Sequence, residues 1–209
     1  MPADDHPLGG DIGLTAEALL NQLDLPTAGP PIEPPAPADE VMDRLGVEAL
    51  RWGGIRFLRD HSARHRRDHI LAVTLDQVVV IEARRARGTL ALVEHGTPFR
   101  PDTRLELDGR DHSRVIDMLL ARIPVVATAA QAASDDERVQ PGVSGALCVL
   151  GAELRTHTVD WHIQAVTLHG LDSLATALGA LASEVTSVTD SDEVDQLDRF
   201  AANVARRLL

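Results

Sequence analysis

Lysine is missing from this chain: all 20 basic residues are arginine, so any mechanism that needs a lysine amine is excluded. Tyrosine is also absent, and two Trp and three Phe are the whole aromatic complement. That argues against an aromatic platform on which single-stranded nucleic acid could stack. The one cysteine, Cys148, cannot form an internal disulfide. It lies in the apolar run GALCVL and reads as a small core residue. No apolar run approaches the roughly 20 residues of a membrane span. The first residues, MPADDHPLGG, are acidic and lack the basic-then-apolar order of a secretory leader. These absences point to a cytoplasmic protein with no membrane partner.

What is there is acidic and unevenly spread. The 209 residues leave room for one packed domain plus tails. The formal charge of −12 divides into −8 over residues 1–40, +3 over 41–115 and −7 over 116–209. An acidic protein is a poor generic binder of polyanions, so a phosphate-facing surface, if there is one, belongs to the middle segment. Residues 1–37 hold most of the prolines and cannot bury enough apolar surface to offset their ordering entropy. They read as a disordered acidic tail, within which Thr15 to Leu23 could form a short docking helix. Residues 38–184 form the domain, and 185–209 a linker and a C-terminal helix.

Inside the domain, Val41, Leu45, Val47, Leu50 and Trp52 have mostly helical spacing. GGIRFLRD reads as a first strand. DHILAVT and QVVVIEAR are β-branched runs joined by a short turn near Leu75 and Asp76, a hairpin. RGTLALVEHG is read as a further strand, and RLELDGR as a short one. DHSRVIDMLLARI is a capped helix that Pro124 should kink or end, with VVATAAQAASDD its continuation. VSGALCVLG and IQAVTLHG are buried strands, and LDSLATALGALASEV is a helix. The C-terminal stripe of Val194, Leu197, Ala201, Val204 and Leu208 must bury itself, and the domain's own core is the favoured place. Helix, meander, helix, two strands and helix make an α/β fold with a central mixed sheet flanked by helices.

Two acids frame the hairpin: Asp68 before its first strand and Glu82 late in its second. Carboxylates converging at one end of a hairpin could hold a hard divalent cation for phosphodiester hydrolysis. Side chains alternate along a strand, so Glu82 and Arg84 share a face. Asp68 joins them only if the turn has an odd number of residues or a bulge intervenes. A two-residue turn sets Asp68 opposite Ala83, on the other face.

The ordered series in RRDHILAVTLDQVVVIEARRARGTL resembles the nuclease-related domain (NERD) family, and through it the restriction-endonuclease-like PD-(D/E)XK fold. Asp68-His69 match the family's Asp-His pair, Glu82-Ala83-Arg84 its acid-x-Lys motif, and Gly88 the glycine that follows. The similarity continues through the Arg122-containing helix and the later strands, from about Asp39 to Leu181. It implies a Mg²⁺- or Mn²⁺-dependent nuclease in which Asp68 and Glu82 hold the metal and Arg84 stands at the lysine position. Where the family helix tends to carry a glutamine facing the site, this chain has Arg122. A supporting acid from the first helix would be Glu40 or Glu48, and the sequence does not choose between them.

Arg64, Arg66, Arg67, Arg85 and Arg87 read equally well as contacts to a nucleic-acid backbone or as the solvated end of the hairpin. His61, His65 and His69 have the spacing of helical zinc ligands, but their stretch reads as a loop. His157 and His162 read as surface groups. Two functions follow. One is a cytoplasmic nuclease-related protein that binds or processes DNA or another nucleic acid. The other is a catalytically inactive scaffold that keeps the fold and meets a protein partner through the N-terminal tail or the C-terminal helix.

Overall fold

The computed structural model describes residues 36–60, 69–97, 100–134, 140–155, 162–163, 165–185 and 191–208. The chain divides between Pro34 and Pro35, and all of these residues belong to the second part. The proposed docking helix, Asp68, Arg64, Arg66, Arg67, His61, His65 and His157 lie outside the described residues.

Helix α1 (Pro37–Trp52) starts with a proline in its first turn, where a missing N–H costs nothing, and with Asp39 and Glu40 on the positive end of the helix dipole. Gly53 ends it at φ 69°, its N–H reaching Ala49 O, as C-terminal glycines do. Strands β1 (Arg56–Asp60), β2 (His69–Val73) and β3 (Gln77–Thr97) form an antiparallel meander. Strands β4 (Arg100–Leu107) and β5 (Arg110–Asp111) fold back on the far half of β3. Helix α2 (Arg114–Ala133) then crosses to β6 (Gly142–Leu154), which runs parallel to β3. Strands β7 (His162–Ile163) and β8 (Val166–His169) complete the sheet, and helices α3 (Leu171–Val185) and α4 (Ser191–Leu208) follow. The sheet order is β1-β2-β3-β6-β8-β7, so the architecture is a mixed sheet between two helical layers.

Alternation explains why β2 and β3 read as unbroken apolar runs. Leu71, Val73, Val78, Val80, Leu147 and Val149 face α2 and α4, together with Val126, Leu197 and Val204. Ile70, Ala72, Val79, Ile81, Ala146 and Cys148 face α1 and α3, with Val41, Leu45, Leu174 and Leu178. Each fully buried aliphatic side chain contributes about 1.5–3 kcal/mol, so the doubly covered hairpin is the anchor of the domain. Helix α4 is part of that core: Leu197, Phe200, Ala201 and Val204 are buried in it.

One strand differs from the sequence-based expectation. Strand β3 runs on through the position where a break was expected, with a bulge between Arg85 and Gly88. Asp108 folds back to span the irregularity, accepting the Thr89 N–H at 2.8 Å and donating its own N–H to Thr89 O at 2.9 Å. Gly88 has φ 111°, a conformation that favours glycine, and a Cβ there would also displace the Asp108 carboxylate. Helix α2 passes through Pro124 and continues to Ala133. Pro124 is exposed, and burial of Val126, Ala129, Ala130 and Ala133 beyond it holds the helix together. By length and composition α2 could cross a membrane, but it carries Arg122 and Asp117 and packs one face on the sheet.

Candidate functional site

The hairpin turn decides which residues meet. Thr74 N–H donates to Gln77 O at 2.8 Å, leaving Leu75 and Asp76 as a two-residue turn. Thr74 Oγ1 contacts Asp76 Oδ1 at 2.8 Å and accepts the Gln77 N–H at 3.1 Å, which holds the turn without glycine. The pairing runs from Val73↔Val78 to Ile70↔Ile81 with no shift. Odd-numbered β2 residues and even-numbered β3 residues therefore share the α2 face. The residue that reaches Glu82 is His69, with Nε2 3.0 Å from Oε2. The odd-residue turn that would align Asp68 with Glu82 is not the one formed.

The buried polar end of the sheet has three further members. Arg84, two residues beyond Glu82 on the same face, places Nη2 2.5 Å from Glu82 Oε1. Asp60 pairs across the sheet with His69 and is buried. Arg122 reaches down from α2 and donates Nε at 2.9 Å and Nη2 at 2.5 Å to Asp60 Oδ2. Arg122 thus occupies the site-facing helix position expected of it. Asp60 was not anticipated; its signal was its parity with Leu58, which puts an acid on a core-facing position at the end of β1.

The pairing is not saturated. His69 and Glu82 are close but not aligned as a hydrogen bond. Glu82 Oε2, His69 Nδ1 and Arg84 Nε are buried with no hydrogen-bond partner among the described residues. Orphan polar atoms are costly in an interior, and these three surround a single carboxylate. The centre therefore keeps spare hydrogen-bonding capacity.

The arginines of the proposed phosphate contact do not act together among the described residues. Arg85 points to the opposite face and pairs with Glu40 of α1. Arg87 is exposed. Glu40 is engaged by Arg85, while Glu48 contacts Arg44 at 4.0 Å and Arg51 at 3.5 Å on its own helix. His162 lies in β7. Cys148 is buried in the α1-side core, where loss of hydration pushes its thiol up to about 12, so it stays a protonated core group.

Mg²⁺ and Mn²⁺ take about six oxygen ligands in a near-octahedral shell. The described residues do not fit that demand. Glu82 and Asp60 each have a guanidinium in contact. No group of three or more His, Cys, Asp or Glu among the described residues converges as a metal site. Comparison with known protein families, characterised proteins and solved structures found no match to this chain.

Proposed function

We propose that this chain is a nuclease-related, restriction-endonuclease-like domain that has retained the fold without hydrolysis, an interaction domain acting in the cytoplasm. The observation that carries the reading is the guanidinium on Glu82: Arg84 Nη2 lies 2.5 Å from one carboxylate oxygen, with His69 near the other. A guanidinium is always charged, forked and strongly directional. It neutralises the carboxylate where a nuclease would need that carboxylate free for a cation, and it supplies no base to activate water. Arg122 does the same to Asp60.

The kinship itself is supported by the order of the chain. The Asp68-His69 pair, Glu82-Ala83-Arg84 and Gly88 occur in the family's sequence, and His69, Glu82 and Arg84 lie at one end of one sheet face. The described elements run helix, five strands, helix, three strands and two helices, a mixed α/β order that supports this reading.

The test is Mn²⁺ titration by calorimetry into wild type and Glu82→Ala, with plasmid nicking in Mg²⁺ and Mn²⁺ on the same samples. The expected result is no saturable binding and no nicking. Nicking that disappears in Glu82→Ala would overturn the reading. In its place would stand a metal-dependent nuclease, with Mg²⁺ or Mn²⁺ on Asp68 and Glu82 and with Arg64, Arg66, Arg67, Arg85 and Arg87 on the nucleic-acid backbone.

A further inference from the structure

Beside the Glu82–Arg84 pair, between the bulged part of β3 and the first half of α2, lies a half-open cavity of about 310 Å³. Its walls are aliphatic, with Leu107, Val115, Met118 and Leu147 among them. Among the described residues that line it, the charged or ionisable side chains are arginines and His112, and none is a carboxylate. Arg85 turns its guanidinium away to Glu40, which leaves Arg84 and His112 to set the cavity's polarity. Arg84 is 36% exposed and His112 is exposed, so the cationic groups lie toward solvent and the aliphatic ones inside.

We propose that this cavity binds a medium-chain aliphatic carboxylate, chain inward and carboxylate at Arg84 and His112. Three features select that class. First, a volume of about 310 Å³ is at the small end of ligand sites, which run from roughly 300 to 1,000 Å³. At roughly 30 Å³ per non-hydrogen atom, the share a water molecule has in the liquid, it takes roughly ten such atoms. Second, the described lining residues include no hydroxyl or carboxamide side chain and no Phe, Tyr or Trp. They cannot read the polar edges of a nucleobase or stack its face, but they suit an alkyl chain. Third, the polar end carries Arg84 and His112 with no acid among the described lining residues, and a guanidinium already on one carboxylate can bind a second through its remaining charge-assisted hydrogen bonds. The Arg84 Nη2 on Glu82 uses one edge of the fork. This binding is independent of whether the domain cleaves phosphodiesters.

Octanoate, with ten non-hydrogen atoms, is the probe, titrated into the full chain by calorimetry with 1-octanol as the neutral comparator. The expected result is saturable binding at one site. Arg84→Gln should weaken it at least about tenfold, the loss of a charge-assisted hydrogen bond. Leu107→Trp, which fills the space, should abolish it, with a melting curve checking that the variant folds. Methyl shifts in the wild type give a measurement that needs no variant: Leu107, Val115, Met118 and Leu147 should move during the titration. Absence of saturable binding, octanol binding as tightly as octanoate, or shifts confined to other residues would each overturn the proposal.

Discussion

The two faces of the sheet carry the same kind of ion pair with opposite geometry. At the buried end of the α2 side the sheet supplies acids and the arginines close over them: Asp60 under Arg122 and Glu82 under Arg84, with side chains 2% and 6% exposed, while the exposed Arg56–Asp198 pair against α4 has the reverse order. On the α1 side the sheet supplies arginines and the helix supplies acids: Arg59 with Asp39 and Arg85 with Glu40, the acids 44% and 40% exposed. Neighbouring residues of one strand, Arg59 and Asp60 on β1, fall into opposite classes because the pleat sends them to opposite faces. Water screens the α1-side pairs, and such pairs contribute about 0–1 kcal/mol. The α2-side acids have lost their hydration, so each depends on its partner. A buried pair adds little net stability over an apolar one, but removing one member strands a charge at about 3–5 kcal/mol. The polar end of the α2 face is thus a costly arrangement, whereas the α1 face could lose its pairs with little effect.

The sharpest way to break this comparison is at Asp60, the less exposed of the two buried acids. Arg122→Leu should destabilise the domain by about 3–5 kcal/mol, because Asp60 keeps its burial and loses its cation. Urea denaturation checks it, and adding Asp60→Leu should return most of the loss. If Arg122→Leu changes stability by less than about 1 kcal/mol, as exposed pairs do, the contrast between the faces fails. Arg84→Ala comes next. Arg84 is partly exposed, and His69 remains on Glu82. The expected loss is therefore nearer the roughly 1–3 kcal/mol of a buried acceptor left without its donor.

How far this contrast was legible in the sequence depends on the distance over which its causes act. The hairpin was plain from HILAV and QVVVI, since β-branched runs buried on both faces have few other uses. The C-terminal stripe was legible from its helical spacing, and Leu197, Ala201 and Val204 do lie in the core, although Val194 at its start is exposed. The site was only half legible. Strand parity puts Glu82 and Arg84 on one face, but whether Asp68 or His69 meets Glu82 turns on a single residue of turn length. Here a Thr74 hydroxyl holds the shorter turn without the glycine that usually announces it. The continuity of β3 was hidden because its bulge is spanned by Asp108, some twenty residues from Gly88. Asp60 and Arg122 are sixty-two positions apart. No local pattern links them, and only the docking of α2 on the sheet brings them together.

On the α1 side the expected effects are smaller. Arg85→Ala should cost no more than about 1 kcal/mol. That loss should vanish near 1 M salt, where the screening length falls to about 3 Å. A loss that persists in high salt would mean that Glu40 depends on Arg85 as Asp60 does on Arg122.

The smallest effect tests a different kind of polar group on that face. His169 lies next to Cys148 in the sheet, hydrogen-bonded through Nε2 to Thr167 Oγ1 at 2.9 Å. Burial holds its pKa below the ordinary 6.5, because desolvation penalises the imidazolium. The unfolded chain therefore binds this proton more readily than the folded one. Stability from His169 is complete above pH 6.5 and declines as the pH falls from there through the lowered folded value. His169→Gln should flatten the fall in melting temperature between about pH 6.5 and pH 5 relative to wild type, while leaving the two nearly parallel above pH 7. Equal slopes below pH 6.5 would mean that His169 carries no such linkage. The α1 face would then be insensitive to charge at this position as well as at its arginines, and the difference between the faces would be wider than the pairs alone imply.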